Sequence, residues 1–150
     1  MKINYQQTVD KAKEINLITE NDKYVFCTVR PKDGRNMGMI QEVIYYKYDI
    51  LFVINQNEVK LIDVDQKTGT LVGSYRIISR ENIIELNDYW SLLSRDFYIK
   101  AKNPDYRENF AVYSKFYGFN QKEMFNEVRI FIKQQYTIPI KEAKKNSKKK

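Results

Sequence analysis

Asp49-Ile-Leu-Phe-Val-Ile54, Asn55-Gln56-Asn57, Glu58-Val-Lys-Leu-Ile-Asp63 reads as strand, turn, strand. β-Branched and aromatic residues fill the apolar runs, and the amide-rich triplet between them is turn chemistry. Asp65-Gln-Lys-Thr-Gly69 interrupts the pattern, and Thr70 to Ile78 and Asn82 to Leu86 resume it. Within the second run Val59 and Leu61, with Asp63, face one side, and Ile62 and Val64 the other. The spacing predicts an antiparallel ladder joined by hairpin turns. No chemically distinctive residue lies on it.

Working outward, residues 5–19 read as a helix, with Val9, Ala12 and Ile15 at roughly helical spacing. Tyr24 to Arg30 reads as a strand, and Pro31-Lys-Asp-Gly34 as a turn. Met39 to Ile54 suits one long or two broken strands. On the far side Arg95 to Lys102 alternates again, Asn103-Pro104-Asp105 turns the chain, and Asn109 to Ser114 supplies a last strand. A helix follows Gly118. Asn120 and Glu123 have capping-box spacing, and Phe119 and Met124 occupy the staple positions around that cap. Met124, Phe125, Val128, Phe131, Ile132 and Tyr136 then form one apolar stripe, which Pro139 ends. The stripe reads as a helix that plugs a sheet.

About seven strands closed by one amphipathic helix is the element order of a pleckstrin-homology-like (PH-like) domain. The stretch Asp49 to Asp63 resembles the strand–turn–strand of bacterial PH-like domains, with Ile54-Asn55 where those carry Thr-Asn. Ile77 to Leu86 and Phe110 to Tyr136 resemble their following strands and C-terminal helix. The resemblance covers residues 22–136. It implies an α+β fold: a PH-like β-sandwich or partly open barrel of about seven antiparallel strands closed by a C-terminal helix. Residues 1–21 would then be a helical lead-in, 22–137 the PH-like domain and 138–150 a basic, disordered tail.

Composition narrows the chemistry. The 43% hydrophobic content is that of a globular chain, and 150 residues suit one domain. No apolar run is long enough to span a bilayer, and Met1 to Gln7 lacks a signal-peptide core, so a cytoplasmic protein is expected. There is no histidine, which removes Ser-His-Asp and Cys-His catalysis and the commonest metal ligand. Cys27, the single cysteine, forms no internal disulfide and reads as a buried, inert thiol in an apolar strand. Asp63 to Gly69 fails as a calcium loop, because Lys67 stands where a ligand should be and the glycine comes late. Gly34 to Gly38 lacks the spacing and lysine of a phosphate loop. No cofactor, metal site or catalytic residue is indicated, and a non-enzyme is expected.

Three surfaces carry the binding expectations. Arg30, Lys32 and Arg35 border the loop between the opening strands; the resemblance implies phosphate recognition there, although Asp33 dilutes the charge. Tyr89, Trp90, Leu92 and Leu93 form an aromatic and aliphatic cluster that suits either an interface anchor or the core beneath the sheet. Lys144, Lys145, Lys148, Lys149 and Lys150 dominate the last ten residues, whose net charge is +5 out of +7 for the whole chain. The body is thus almost neutral, and the tail alone gives weak attraction to an anionic membrane or to nucleic acid. The expected function is a binding module for a protein partner, with anionic lipid second. The alternative is a nucleic-acid-binding protein that uses the tail and the tyrosine-rich strands.

Overall fold

Ile50-Leu51-Phe52-Val53-Ile54 is buried at every position, which a strand with one wet face cannot be. The reason is a cover on both sides of the sheet. The computed structural model describes residues 3–30, 48–90, 95–137 and 140. Helix α1 (Tyr5–Glu14) precedes strands β1 (Lys23–Arg30), β2 (Tyr48–Ile54), β3 (Glu58–Val64) and β4 (Leu71–Ser79). A short 3-10 turn, Arg80–Asn82, leads to β5 (Ile83–Trp90), β6 (Arg95–Ala101) and β7 (Tyr106–Val112). A small hairpin of β8 (Lys115–Phe116) and β9 (Phe119–Asn120) leads into α2 (Lys122–Phe131), which continues as a π-helical turn over Ile132–Thr137.

The seven main strands make one antiparallel sheet in the order β4-β3-β2-β1-β7-β6-β5. It is an α+β arrangement with an open sheet, since β4 and β5 remain edges instead of closing a barrel. Alternation distributes the apolar residues between two cores. Cys27, Phe52, Leu61, Leu86, Phe97 and Phe110 lie on the face covered by Phe125, Val128, Ile132 and Tyr136 of the C-terminal helix. Phe26, Leu51, Val53, Ile62 and Val64 lie on the other face, against Tyr5, Val9 and Ala12 of α1. The facing deduced for Val59, Leu61, Ile62 and Val64 agrees with this division. An aromatic knot secures the second face: Tyr5, Phe26 and Phe116 have ring centroids 5.0–5.5 Å apart.

Several local expectations are corrected. The first helix ends at Glu14 instead of reaching residue 19, because Asn16 takes a left-handed conformation (φ 65°) that cannot continue a helix. Its start is capped by Asn4, whose side chain accepts from the Gln7 amide. The capping box at Asn120 does not form. Gln121 is the cap residue and its side chain is used elsewhere, while Asn120 Oδ1 accepts from the Lys122 amide. Phe119 does not staple the helix either: it packs against Tyr5 and Phe26 on the opposite face. The Asp65–Gly69 turn forms as a hairpin, Asp65 accepting from the Lys67 and Thr68 amides. Pro31–Gly34, Met39 to Lys47 and Pro139 lie outside the described residues.

Charge also lies inside the ladder, where none was expected to matter. Asp22, Asp49 and Lys60 are buried. Lys60 passes its ammonium to the Leu17 carbonyl and to Asp22, and Asp22 in turn accepts from Asn55 and Thr19. Asp49 accepts from the Thr28 hydroxyl at 2.9 Å. The Lys60 and Asp22 bonds tie the exit turn of α1 to the sheet, and the Asp49 bond links β2 to β1.

Candidate partner-binding surface

Strand β5 carries Leu86, Asp88 and Trp90 on one face by simple alternation. Leu86 is buried in the core beneath α2, Asp88 is half-buried at its margin, and Trp90 stands beyond it with 74% of its surface exposed. The core reading of Trp90 is therefore corrected. Phe125 and Arg129 of α2 line the same groove as the indole but leave most of it uncovered, at the rim.

Trp90 is exposed but not loose. Arg95, its direct cross-strand partner, lays its guanidinium 4.6 Å from the ring centroid. Arg95 Nε donates to Asp88 Oδ2 at 2.7 Å, and Arg129 Nε on α2 donates to the same oxygen at 3.1 Å. Arg129 lies 5.6 Å from the Phe125 ring centroid. One carboxylate thus locks two strands to the helix and holds a cation against the indole.

Between this cluster and the start of α2 lies a groove of about 500 Å³, floored by Val112 and Phe125 and bordered by Trp90 and Tyr113. Its other charged lining residues are Lys115 on β8 and Lys122 on α2. Among the described residues no carboxylate lines it.

Tyr89 does not join Trp90. Adjacent strand residues face opposite ways, and Tyr89 donates its hydroxyl to Asn109 Oδ1 at 2.6 Å. Arg30 ends β1 opposite Asn109, but its side chain, together with Lys32, Arg35, Leu92, Leu93 and Lys144, Lys145, Lys148, Lys149 and Lys150, lies outside the described residues. Lys115, Lys122 and Arg129 were absent from the sequence expectations. Lys115 comes from β8 and Lys122 and Arg129 from α2, and only the return of the chain through these elements brings them beside Trp90.

Other features have structural uses. Burial first, and then Asp49, pushes the Cys27 thiol well above its ordinary value, so the thiolate form is disfavoured. A second groove of about 510 Å³ beside Lys13 and Tyr24 includes Asp22, whose oxygens already hold Lys60, Asn55 and Thr19. Edge strand β4 exposes Val72, Tyr75 and Ile77. Gly73, at φ 109°, lies where the single β3 residue Asp63 stands opposite three of β4, Val72 to Ser74, which breaks the regularity of that edge. Among the described residues no three cysteine, aspartate or glutamate side chains cluster as a metal site, and no helix is long and apolar enough to cross a membrane.

No protein-family model matches the chain, and no curated protein matches it. A solved structure described as the hSac2 domain from human phosphoinositide phosphatase Sac2 is similar with a TM-score of 0.46 and 11% identity, over 87% of this chain and 82% of that one. The expectation of a non-enzyme is corrected on this finding: the similar domain comes from a phosphatase, so absence of catalysis is no longer asserted. At that score the likeness assigns no activity to this chain.

Proposed function

We propose that this chain is a cytoplasmic binding module with a PH-like sandwich, and that it holds a protein partner in the groove beside Trp90. The strand order, with the two halves of the sheet meeting at β1 and β7 and a C-terminal helix laid over one face, supports the PH-like reading. The observation that carries the function is the indole itself. A large aromatic side chain, mostly exposed and already immobilised by Arg95, is a preorganised anchor. Tryptophan and arginine are the residue types that dominate interface energies, and prior ordering lowers the entropic cost of association.

The test is site-specific photocrosslinking in the native cell. A photoreactive residue at Tyr113, which lines the groove, is expected to capture a discrete protein species. The same residue at Tyr75 on β4, at the far edge of the sheet, is expected not to. Trp90→Ala should abolish the Tyr113 adduct while leaving the circular dichroism spectrum unchanged. Equal capture from both positions, or an adduct indifferent to Trp90→Ala, would overturn the proposal.

A further inference from the structure

We infer that the occupant of this groove is an acidic, extended protein segment with an apolar side chain that seats against Trp90; this rests on the protein-binding reading above. Charge carries the inference. Arg95, Arg129, Lys115 and Lys122 line the groove, and the neighbouring carboxylate, Asp88, is shared by the two arginines. Lys115 and Lys122 are exposed and make no ion pair among the described residues. The chain as a whole is nearly neutral outside its last ten residues, so this concentration of one sign is local.

Lys122 is also placed against a local preference. It is the first residue of α2, where the positive end of the helix dipole disfavours a cation. The dipole therefore adds to the field of the lysines instead of offsetting it. An incoming carboxylate would meet both.

The apolar surface selects among anionic partners. Val112 and Phe125 floor the groove and Trp90 forms its wall, which suits one aliphatic or aromatic side chain flanked by acids. A bilayer presents its phosphates as a surface and is met best by protruding cations, whereas these lie around a concavity. Single-stranded nucleic acid needs successive stacking platforms, and one face of Trp90 is taken by Arg95. The lysine-rich tail of this same chain is excluded as occupant by its like charge.

Trp90 is the only tryptophan, so its fluorescence reports this groove directly. The full chain would be titrated with a short peptide of glutamates flanking a Leu-Phe pair. The comparison probes are its lysine counterpart, phosphatidylserine vesicles and oligothymidine. A saturable change is expected with the acidic peptide only, weakening with added salt and by about tenfold in Lys115→Glu/Lys122→Glu, because rim charges tune association. Equal response to the lysine peptide, no response to the acidic one, or a response confined to vesicles or oligothymidine would each overturn the inference. The salt dependence of the unaltered chain decides the matter if the double variant does not fold. A Trp90-dependent crosslink at Tyr113 without acidic preference would refute this inference alone; loss of both results would refute the binding reading as well.

Discussion

Lys60 reaches through the apolar side of β3 to Asp22, its Nζ 3.5 Å from Oδ2, with side-chain exposures of 9% and 0%. The two halves of this pair are not equivalent. Asp22 also accepts from Asn55 Nδ2 and from the Thr19 amide, each at 2.7 Å, whereas Lys60 has one further acceptor, the Leu17 carbonyl. Removing the carboxylate strands a buried ammonium and undoes the turn after α1. Removing the ammonium leaves Asp22 with its other donors.

Asp22→Ala is therefore expected to cost about 3–5 kcal/mol, the usual range for breaking a buried pair from one side. Lys60→Met should cost distinctly less, since the methionine fills the same channel. Urea unfolding of both single variants and the double variant checks this. Equal losses for the two single variants would show that the extra bonds to Asp22 contribute nothing.

Gln121 supports a different joint. Strand β7 pairs with β1 only at Thr28, Val29 and Arg30, so the Phe26 backbone lacks a strand partner on that side. Gln121 replaces it: Oε1 accepts from the Phe26 amide and Nε2 donates to the Phe26 carbonyl, both at 2.9 Å, with a third bond to the Tyr113 carbonyl. Gln121→Ala should cost about 2–4 kcal/mol by leaving buried backbone groups unpaired. Gln121→Glu should be at least as damaging, because a carboxylate cannot donate to two carbonyls. A thermal melt in which the glutamate variant matches the parent chain would contradict this account.

The C-terminal helix is held by its stripe. Ile132 is fully buried against the sheet, whereas Ile130, two residues away, is 55% exposed. Ile132→Ala is expected to destabilise by about 2–5 kcal/mol and Ile130→Ala by no more than about 0.5 kcal/mol. Denaturant midpoints that fall equally for both would mean that the helix does not dock as described.

Tyr5 gives a pH prediction. Its phenol is pushed up to about 12, by burial first and then by Asp49 and Tyr117. The folded chain keeps this proton through a range in which the unfolded chain, titrating near about 10, has lost it. The resulting stability is complete below about pH 10 and is lost as pH rises through about 12. The Tyr5 hydroxyl is buried and has no hydrogen-bond partner among the described residues. Tyr5→Phe should therefore leave neutral-pH stability unchanged or raise it by about 1 kcal/mol, and should flatten the alkaline loss. A marked fall in neutral-pH stability would disprove this.

Strand identities were legible because side-chain alternation and turn chemistry are local. The apolar stripe from Phe125 to Tyr136 was legible for the same reason. The helix cap was misread because Gln121 is used by β1, a partner 95 residues away in sequence that no local spacing reveals. For Trp90 the sequence left anchor and core both open, because burial depends on which distant segments cover the end of a strand. Nothing in the local sequence marked Asp22 as the partner of Lys60 and Asn55, which the fold brings to it.

By itself, then, the sequence determined the antiparallel ladder, the closing amphipathic helix and the absence of histidine chemistry, all of them properties of composition or short-range period. The tertiary structure decided that Ile50 to Ile54 is covered on both faces, that charge is buried beside it, and that four cations line one groove with an exposed indole. Those outcomes depend on which distant segments share a surface, and neighbours in space leave no fixed spacing in the chain.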